Sequence, residues 1–235
     1  MTLENVMAEL KAKGNDGLKK ILLKHGIKEP FFGVKVEDLK VIQKKIKKDY
    51  TLSKALYKTG NADAMYLAGL IGDEDKMTKN DLMAWVKKAV STNISSYTVP
   101  WIAAESHFGY ELAIEWIDSK EDFIAAAGWA TLSNVVSIKP DSELDIPALK
   151  LLLNRVEKNI HTADNRVRSS MNGFVIAVGS YITSLTEYAI DVSKRIGEVI
   201  VIKEGTACKV PDAADYIKKI KDKGAIGKKK KMARC

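Results

Sequence analysis

The chain has 235 residues, of which 46% are hydrophobic and 29% charged, and a formal net charge of +8. This composition is typical of a globular protein that can bury a full core, and no apolar run approaches the roughly 20 residues that a membrane span requires. The N-terminus lacks the basic and apolar regions of a secretory signal peptide. The two cysteines form neither a metal motif nor a disulfide framework. We therefore expect a cytoplasmic protein with no membrane partner, no metal and no small-molecule cofactor.

Apolar residues recur at helical spacing along most of the chain, beginning with two short helices before residue 25. Thr78 to Asp81 form an N-cap signal for a helix that starts near Leu82. The further predicted helices span 36–48, 52–57, 62–71, 82–90, 97–107, 110–118, 121–136, 144–159, 162–179, 184–196 and 211–221. Helix pairs at intervals of about 35–45 residues, without a βαβ rhythm, predict an all-α fold of HEAT-like helical repeats, a solenoid or α-α superhelix. We expect one domain over 1–222 and a basic tail over 223–235.

One segment near the C-terminus departs from the helical pattern. Val199 to Ile202 are four successive β-branched residues, which favour a strand, and Gly205 lies in a turn-like sequence just after them. The pattern predicts a β-hairpin at about 198–210. Because a lone hairpin is not stable in water, we expect it to pack on the helices or on a partner.

Positive charge is concentrated at the two ends of the chain. Residues 217–235 contain nine basic side chains and one acid, and residues 1–50 contain twelve lysines and seven acids. Five of these lysines lie in the predicted helix 36–48. Clustered positive charge is typical of polyanion binding, with nucleic acid the commonest intracellular example, but it is also typical of solvated helix faces.

A polar cluster opens the helix predicted over 162–179. Arg168 and Asn172 are four residues apart and share a helix face, with Asn165 one turn earlier and Gly173 beside them. Such a face can approach a backbone phosphate closely. It can equally form a hydrogen-bonded network between helices, and the sequence leaves both interpretations open.

Several strings resemble the HEAT-like-repeat DNA alkylation repair superfamily, which includes the AlkD-like alkylpurine DNA glycosylases. Residues 31–40, Phe-Phe-Gly-Val-Lys-Val-Glu-Asp-Leu-Lys, are similar to that family's entry into its third helix. Residues 165–179 and 197–217 resemble a branch that carries an extra hairpin, lacks glycosylase activity and has affinity for branched DNA. The resemblance implies a solenoid that holds DNA in a basic concave groove.

The glycosylase active-site pattern departs from that family. Where the glycosylases have an aromatic residue and a carboxylate four residues apart, this chain has Tyr97 and Trp101. Glu105, one turn further on, is the nearest acid and the one candidate catalytic residue. The string that matches the family's catalytic arginine, residues 123–129, has no charged side chain.

We therefore expect a DNA-binding protein of this superfamily that lacks glycosylase activity and binds duplex or branched DNA. Tyr97 and Trp101 are candidates for base contact. The expected DNA contacts are basic or amide side chains, namely Lys40, Lys44, Lys45, Lys47, Lys48, Arg166, Arg168, Asn172, Lys203 and Lys209. Two alternatives are a glycosylase that releases N3- or N7-alkylated purines and a HEAT-repeat scaffold for protein partners.

Overall fold

The computed structural model describes residues 1–202 and 210–234. Within these residues the chain forms thirteen α-helices and no β-strand. The all-α prediction is therefore confirmed. The described chain divides into two compact units, the first comprising residues 1–108 with Arg234 and the second residues 109–202 and 210–233.

The first unit contains seven α-helices and one π-helical turn, Ile94–Thr98, which runs directly into the seventh helix. The helices are α1 (Leu3–Ala12), α2 (Asp16–Lys24), α3 (Val36–Ile46), α4 (Tyr50–Lys58), α5 (Ala62–Ile71), α6 (Lys79–Val86) and α7 (Val99–Glu105). All ten residues of α5 are buried, so this helix is the centre of the unit. A Cβ atom on Gly69 would lie 2.6 Å from Thr98 Cγ2, and glycine therefore allows α5 and the π-helical turn to approach each other.

The second unit contains six α-helices. They are α8 (Gly109–Trp116), α9 (Asp122–Ile138), α10 (Ile146–Asn159), α11 (Asn165–Tyr181), α12 (Thr186–Ile196) and α13 (Ala213–Asp222). Helices α9 and α11 form the core, where the fully buried rings of Trp129 and Phe174 lie 5.3 Å apart between centroids. A Cβ on Gly128 would lie 2.7 Å from the backbone nitrogen of Ile117, so α8 and α9 also pack closely.

Local sequence signals account for several helix starts. The hydroxyl of Thr78 accepts from the backbone N–H of Asp81, and the Asp81 carboxylate accepts in return from the N–H of Thr78. This reciprocal pair is a capping box, which satisfies backbone donors that a helix start leaves free. The N-cap signal predicted in residues 78–81 is thus confirmed at Thr78, but the helix spans Lys79–Val86 and starts before the predicted position near Leu82, because Lys79, Asn80 and Asp81 form its first turn.

The segment predicted to form a hairpin is not a strand in its described part. Residues 198–202 and 210 have no regular secondary structure, and residues 203–209 lie outside the described residues. Side chains from α11 bind the extended backbone, since the amide of Asn165 both accepts from the N–H of Ile202 and donates to its carbonyl oxygen. β-Branched side chains fit an extended, half-buried surface, and among the described residues Asn165 and Arg168 of α11 supply hydrogen bonds to this extended backbone.

No single helix among the described residues is long and apolar enough to cross a membrane. Two successive helical segments, Asn165–Tyr181 and Thr183–Ile196, together have the length and apolar composition of a membrane span, but the chain bends by 116° between them.

Candidate nucleic-acid interface

The five candidate lysines around α3 divide into two groups by their partners. Lys45 Nζ lies 2.8 Å from Glu9 Oε1, and Lys48 forms an ion pair with Glu74. By contrast, the ammonium groups of the other three lysines, Lys40, Lys44 and Lys47, have no hydrogen bond or ion pair with any described residue. Lys44 and Lys47 are exposed and Lys40 is half-buried. The opposite face of α3 buries Leu39 and Ile42 in the core of the first unit, which fixes the lysines at its surface.

Lys47 ends α3 in a strained backbone conformation. Its φ of +65° makes it the only non-glycine residue with positive φ in the described chain, and its ψ is −131°. L-residues rarely adopt this combination, because the Cβ atom meets the neighbouring backbone, and the typical cost is about 1–3 kcal/mol. A lysine is therefore held at an exposed position where a glycine would relieve strain.

The two aromatic candidates of the first unit lie together but differ in exposure. Tyr97 sits in the π-helical turn and is 51% exposed, whereas Trp101 in α7 is 5% exposed. Their ring centroids are 5.7 Å apart, and the ring of Tyr66 meets Trp101 edge-on at 5.3 Å. Because its ring is covered, Trp101 supports the neighbouring aromatic rings, and Tyr97 is the one of the pair with an accessible face. π-Helical turns are frequent at functional sites.

The carboxylate of Glu105 binds Arg234, the penultimate residue of the sequence. Its Oε2 accepts from Arg234 Nε at 2.7 Å, and its Oε1 accepts from the backbone N–H of Arg234 at 3.1 Å. The same guanidinium binds Glu74 and donates to the carbonyl oxygens of Leu70 and Gly72 at the end of α5. Arg234 is 7% exposed. Both oxygens of Glu105 therefore have partners before any substrate arrives.

The other member of this ion-pair cluster, Glu74, has a perturbed pKa. Burial opposes its ionisation, but hydrogen bonds from Lys48 and the charge of Arg234 outweigh that effect and lower its pKa below the usual value of 4.5. From the sequence, Arg234 was predicted only to be one of the charges of a basic tail. Nothing in the sequence places it beside two glutamates more than a hundred residues away.

The polar cluster of the second unit is bound to backbone within that unit. The guanidinium of Arg168 donates to the carbonyl oxygens of Ile160, His161, Ala163 and Ile200 at 2.8–3.1 Å. Asn172 is buried and donates to the carbonyl oxygen of Pro211 at 3.0 Å. Arg166 is half-buried, with its Nε 3.7 Å from Asp122 Oδ2. Of the two interpretations left open by the sequence, this geometry favours the hydrogen-bonded network for Arg168 and Asn172.

The remaining sequence candidates are two lysines, the stretch that matches the glycosylase arginine, and any cluster of metal ligands. Lys203 and Lys209 lie outside the described residues. In the stretch that matches the catalytic arginine of the glycosylases, residues 125–129 are buried in α9 and apolar. Residues 1–202 and 210–234 contain no group of three or more histidine, cysteine, aspartate or glutamate side chains arranged to hold a metal ion.

The described residues thus form two all-helical units, and Lys40, Lys44 and Lys47 lie on α3 of the first unit or at its end, without an acidic partner among those residues. The sequence of the chain matches the profile of the DNA alkylation repair enzyme family over residues 6–217. The chain belongs to that family, and the resemblance inferred from the sequence is confirmed.

The chain is similar over nearly its whole length to other proteins. Uncharacterized proteins of Listeria innocua and Listeria monocytogenes are each 31% identical over 228 residues, covering 95% of this chain and 99% of theirs. A solved structure covers 100% of both chains with a TM-score of 0.91 and 34% identity. It is described as a new family of proteins related to the HEAT-like repeat DNA glycosylases with affinity for branched DNA structures. That relationship supports the HEAT-like part of the predicted fold.

Proposed function

We propose that this protein binds DNA through the sugar-phosphate backbone, prefers branched DNA and does not cleave glycosidic bonds. The observation that carries the proposal is the exposed edge of α3, where three lysines lack acidic partners among the described residues. Lysines placed this way neutralise phosphates and release counterions without reading base sequence. Family membership and the branched-DNA affinity of the solved relative make DNA the favoured polyanion.

The strain at Lys47 adds to this argument. Residues in strained backbone conformations cluster at sites that bind ligands. A lysine at the end of α3 costs stability that a glycine would restore. Phosphate binding by the Lys47 ammonium group is the benefit that we assign to this cost.

Glycosylase chemistry lacks the groups that it needs. Cleavage of an N-glycosidic bond develops positive charge on the sugar, which nearby negative charge and a positioned water stabilise. Trp101 occupies the place of the family carboxylate, and Glu105 is neutralised by Arg234. Losing one such group typically lowers the rate roughly 10²–10³-fold. We therefore assign to Tyr97 a contact with DNA bases and to Glu105 a structural role.

The segment after α12 supplies the preference for branched DNA in this proposal. Ile200 and Ile202 are 61% and 72% exposed, although their carbonyl oxygens are bound by Arg168 and Asn165. These two polar side chains thus position an apolar edge at the surface. Apolar side chains of DNA-binding proteins insert where bases are unstacked, as they are near a branch point.

Two matched charge variants test phosphate binding by α3. Lys44→Gln with Lys47→Gln removes two unpaired lysines, and Lys45→Gln with Lys48→Gln removes the same charge from lysines that acids already neutralise. We expect the first pair to reduce the magnitude of the negative slope of log K against log salt by about 1.8, at roughly 0.9 per phosphate contact. The control pair is expected to change the slope far less. Equal effects of both pairs would refute a specific role for this edge.

Deletion of residues 198–210 tests the second part of the proposal. We expect it to weaken binding to a four-way junction more than binding to a linear duplex of equal length. Arg168→Gln is expected to reproduce this loss of selectivity with little change in the salt slope, because its guanidinium binds backbone carbonyls. Equal loss on both DNAs would show that the segment has no role in recognising branches.

A further inference from the structure

We propose that the second unit carries its own phosphate-binding surface, formed by α13 and the turn that follows it. The proposal deepens the DNA-binding function proposed above and rests on it. The C-terminal basic surface is defined by four exposed residues: Tyr216, Lys219, Lys223 and Lys228. From the sequence we expected residues 223–235 to be a basic tail.

The chain after α13 is fixed by hydrogen bonds to the second unit. The N–H of Gly227 donates to the carbonyl oxygen of Ser180 at 2.9 Å, and that of Lys230 donates to Ser137 at 2.8 Å. Lys229 Nζ lies 2.8 Å from both the carbonyl oxygen of Val136 and Asp141 Oδ1. These contacts order the backbone of the turn, so binding a ligand does not carry the cost of ordering that backbone.

Three members of the C-terminal basic surface form one stripe along α13. Tyr216, Lys219 and Lys223 follow one another at spacings of three and four residues, which places them on one side of a helix. The buried side of α13 consists of Ala213, Ala214 and Ile217. Lys228 lies in the turn after α13, which is tied to the end of that helix because the N–H of Lys228 binds the carbonyl oxygen of Ala225, whose own N–H binds that of Ile220.

Acidic partners divide the lysines of this region into two kinds. Lys218 pairs with Asp215 at 3.6 Å and Lys221 with Glu187 at 2.6 Å, whereas Lys219, Lys223 and Lys228 have no ion pair with any described residue. The paired and unpaired lysines alternate along one helix. Uncompensated charge is therefore concentrated on the stripe, where the exposed hydroxyl of Tyr216 provides a neutral donor.

The DNA backbone fits this arrangement. Phosphates are contacted by lysine ammonium groups and by tyrosine hydroxyls, and the row of Tyr216, Lys219 and Lys223 extends over about two helical turns, or about 10 Å at 1.5 Å per residue. Successive phosphates along one DNA strand are separated by distances of the same order. The surface therefore takes consecutive phosphates of one strand and does not require unpaired bases.

Two double variants of the full-length protein test the proposal. Lys219→Gln with Lys223→Gln removes two lysines of the stripe, and Lys218→Gln with Lys221→Gln removes the same charge from paired lysines of the same helix. Fluorescence anisotropy with a 5′-labelled duplex, measured between about 50 and 200 mM salt, gives both affinity and salt slope. Circular dichroism at the same concentrations verifies that each variant is folded.

We expect the stripe variant to bind DNA roughly tenfold more weakly near 100 mM salt. The negative slope of log K against log salt should be smaller in magnitude by about 1.8. The control variant is expected to stay within about threefold of wild type, since its lysines are already neutralised. Equal losses in both variants, or an unchanged affinity of the stripe variant, would overturn the C-terminal basic surface while leaving the α3 edge intact. A wild-type protein that binds no DNA would overturn the proposed function itself.

Discussion

Substitution of Arg234 by glutamine is expected to destabilise the protein strongly. The Arg234 side chain is 6% exposed, and those of Glu105 and Glu74 are 10% and 17% exposed. Removing one partner of a buried ion pair typically costs about 3–5 kcal/mol, because the remaining charge is buried without compensation. Glu74 keeps its ion pair with Lys48, so the lower end of this range, about 3 kcal/mol, is the expected loss.

A matched exposed pair provides the control for this experiment. Arg195 binds Glu157 through two hydrogen bonds of 2.7 and 2.9 Å, but the two side chains are 48% and 28% exposed. Arg195→Gln is therefore expected to change the stability little, because water screens an exposed ion pair. In urea unfolding followed by circular dichroism, the Arg234 variant should lose clearly more stability than the Arg195 variant. The melting temperature should fall by about 6–12 °C for Arg234→Gln.

A second substitution separates charge burial from simple loss of packing. Adding Glu105→Gln to the Arg234 variant removes the uncompensated carboxylate, and we expect it to restore at least half of the lost stability. An Arg234→Gln protein within 1 kcal/mol of wild type would refute the reasoning. So would a double variant less stable than the single one.

Three further substitutions have outcomes that the structure predicts. Lys47→Gly should raise the melting temperature by about 2–4 °C, because relief of the positive-φ strain exceeds the entropic cost of glycine by about 1 kcal/mol. The same substitution should weaken DNA binding in the anisotropy assay. Although burial opposes ionisation, hydrogen bonds from Lys54, Thr78 and Tyr50 lower the pKa of Asp81 to about 2. The ionised carboxylate contributes about 2 kcal/mol to the stability at neutral pH, and this contribution is lost as the pH falls from 4 towards 2. Asp81→Asn should remove both this stability and its dependence on pH, which urea titrations at several pH values will measure. Asp63 accepts from the backbone N–H groups of residues 32–34, so Asp63→Ala should cost about 3 kcal/mol or more in urea unfolding by leaving buried donors unsatisfied.

Much of the helical order could be predicted from the sequence, because the signals are local. Apolar spacing located the helices, and the Thr78 cap lies three residues from its partner Asp81. The helix predicted over 97–107 begins instead in a π-helical turn. Its backbone hydrogen bonds reach one residue further than those of an α-helix, which apolar spacing does not distinguish.

The features that could not be predicted from the sequence depend on residues that are far apart along the chain. Val199–Ile202 have strand propensity, but Asn165 and Arg168 bind the backbone of this segment from a helix more than thirty residues earlier. Charge counting treated the α3 lysines as one set, and only the positions of Glu9 and Glu74 separate paired from unpaired members. Arg234 shows the same limit, because its two glutamates lie on segments far away in the chain.

The central claim is that this family member binds branched DNA without excising bases. The most direct test is a mobility-shift titration of the wild-type protein against a four-way junction and a linear duplex of equal length at two salt concentrations, with base release from an N7-alkylated duplex measured in parallel. We predict tighter binding to the junction, weakening of both complexes with salt, and no base release above the spontaneous rate. Enzymatic base release, or the absence of binding to either DNA, would contradict the account.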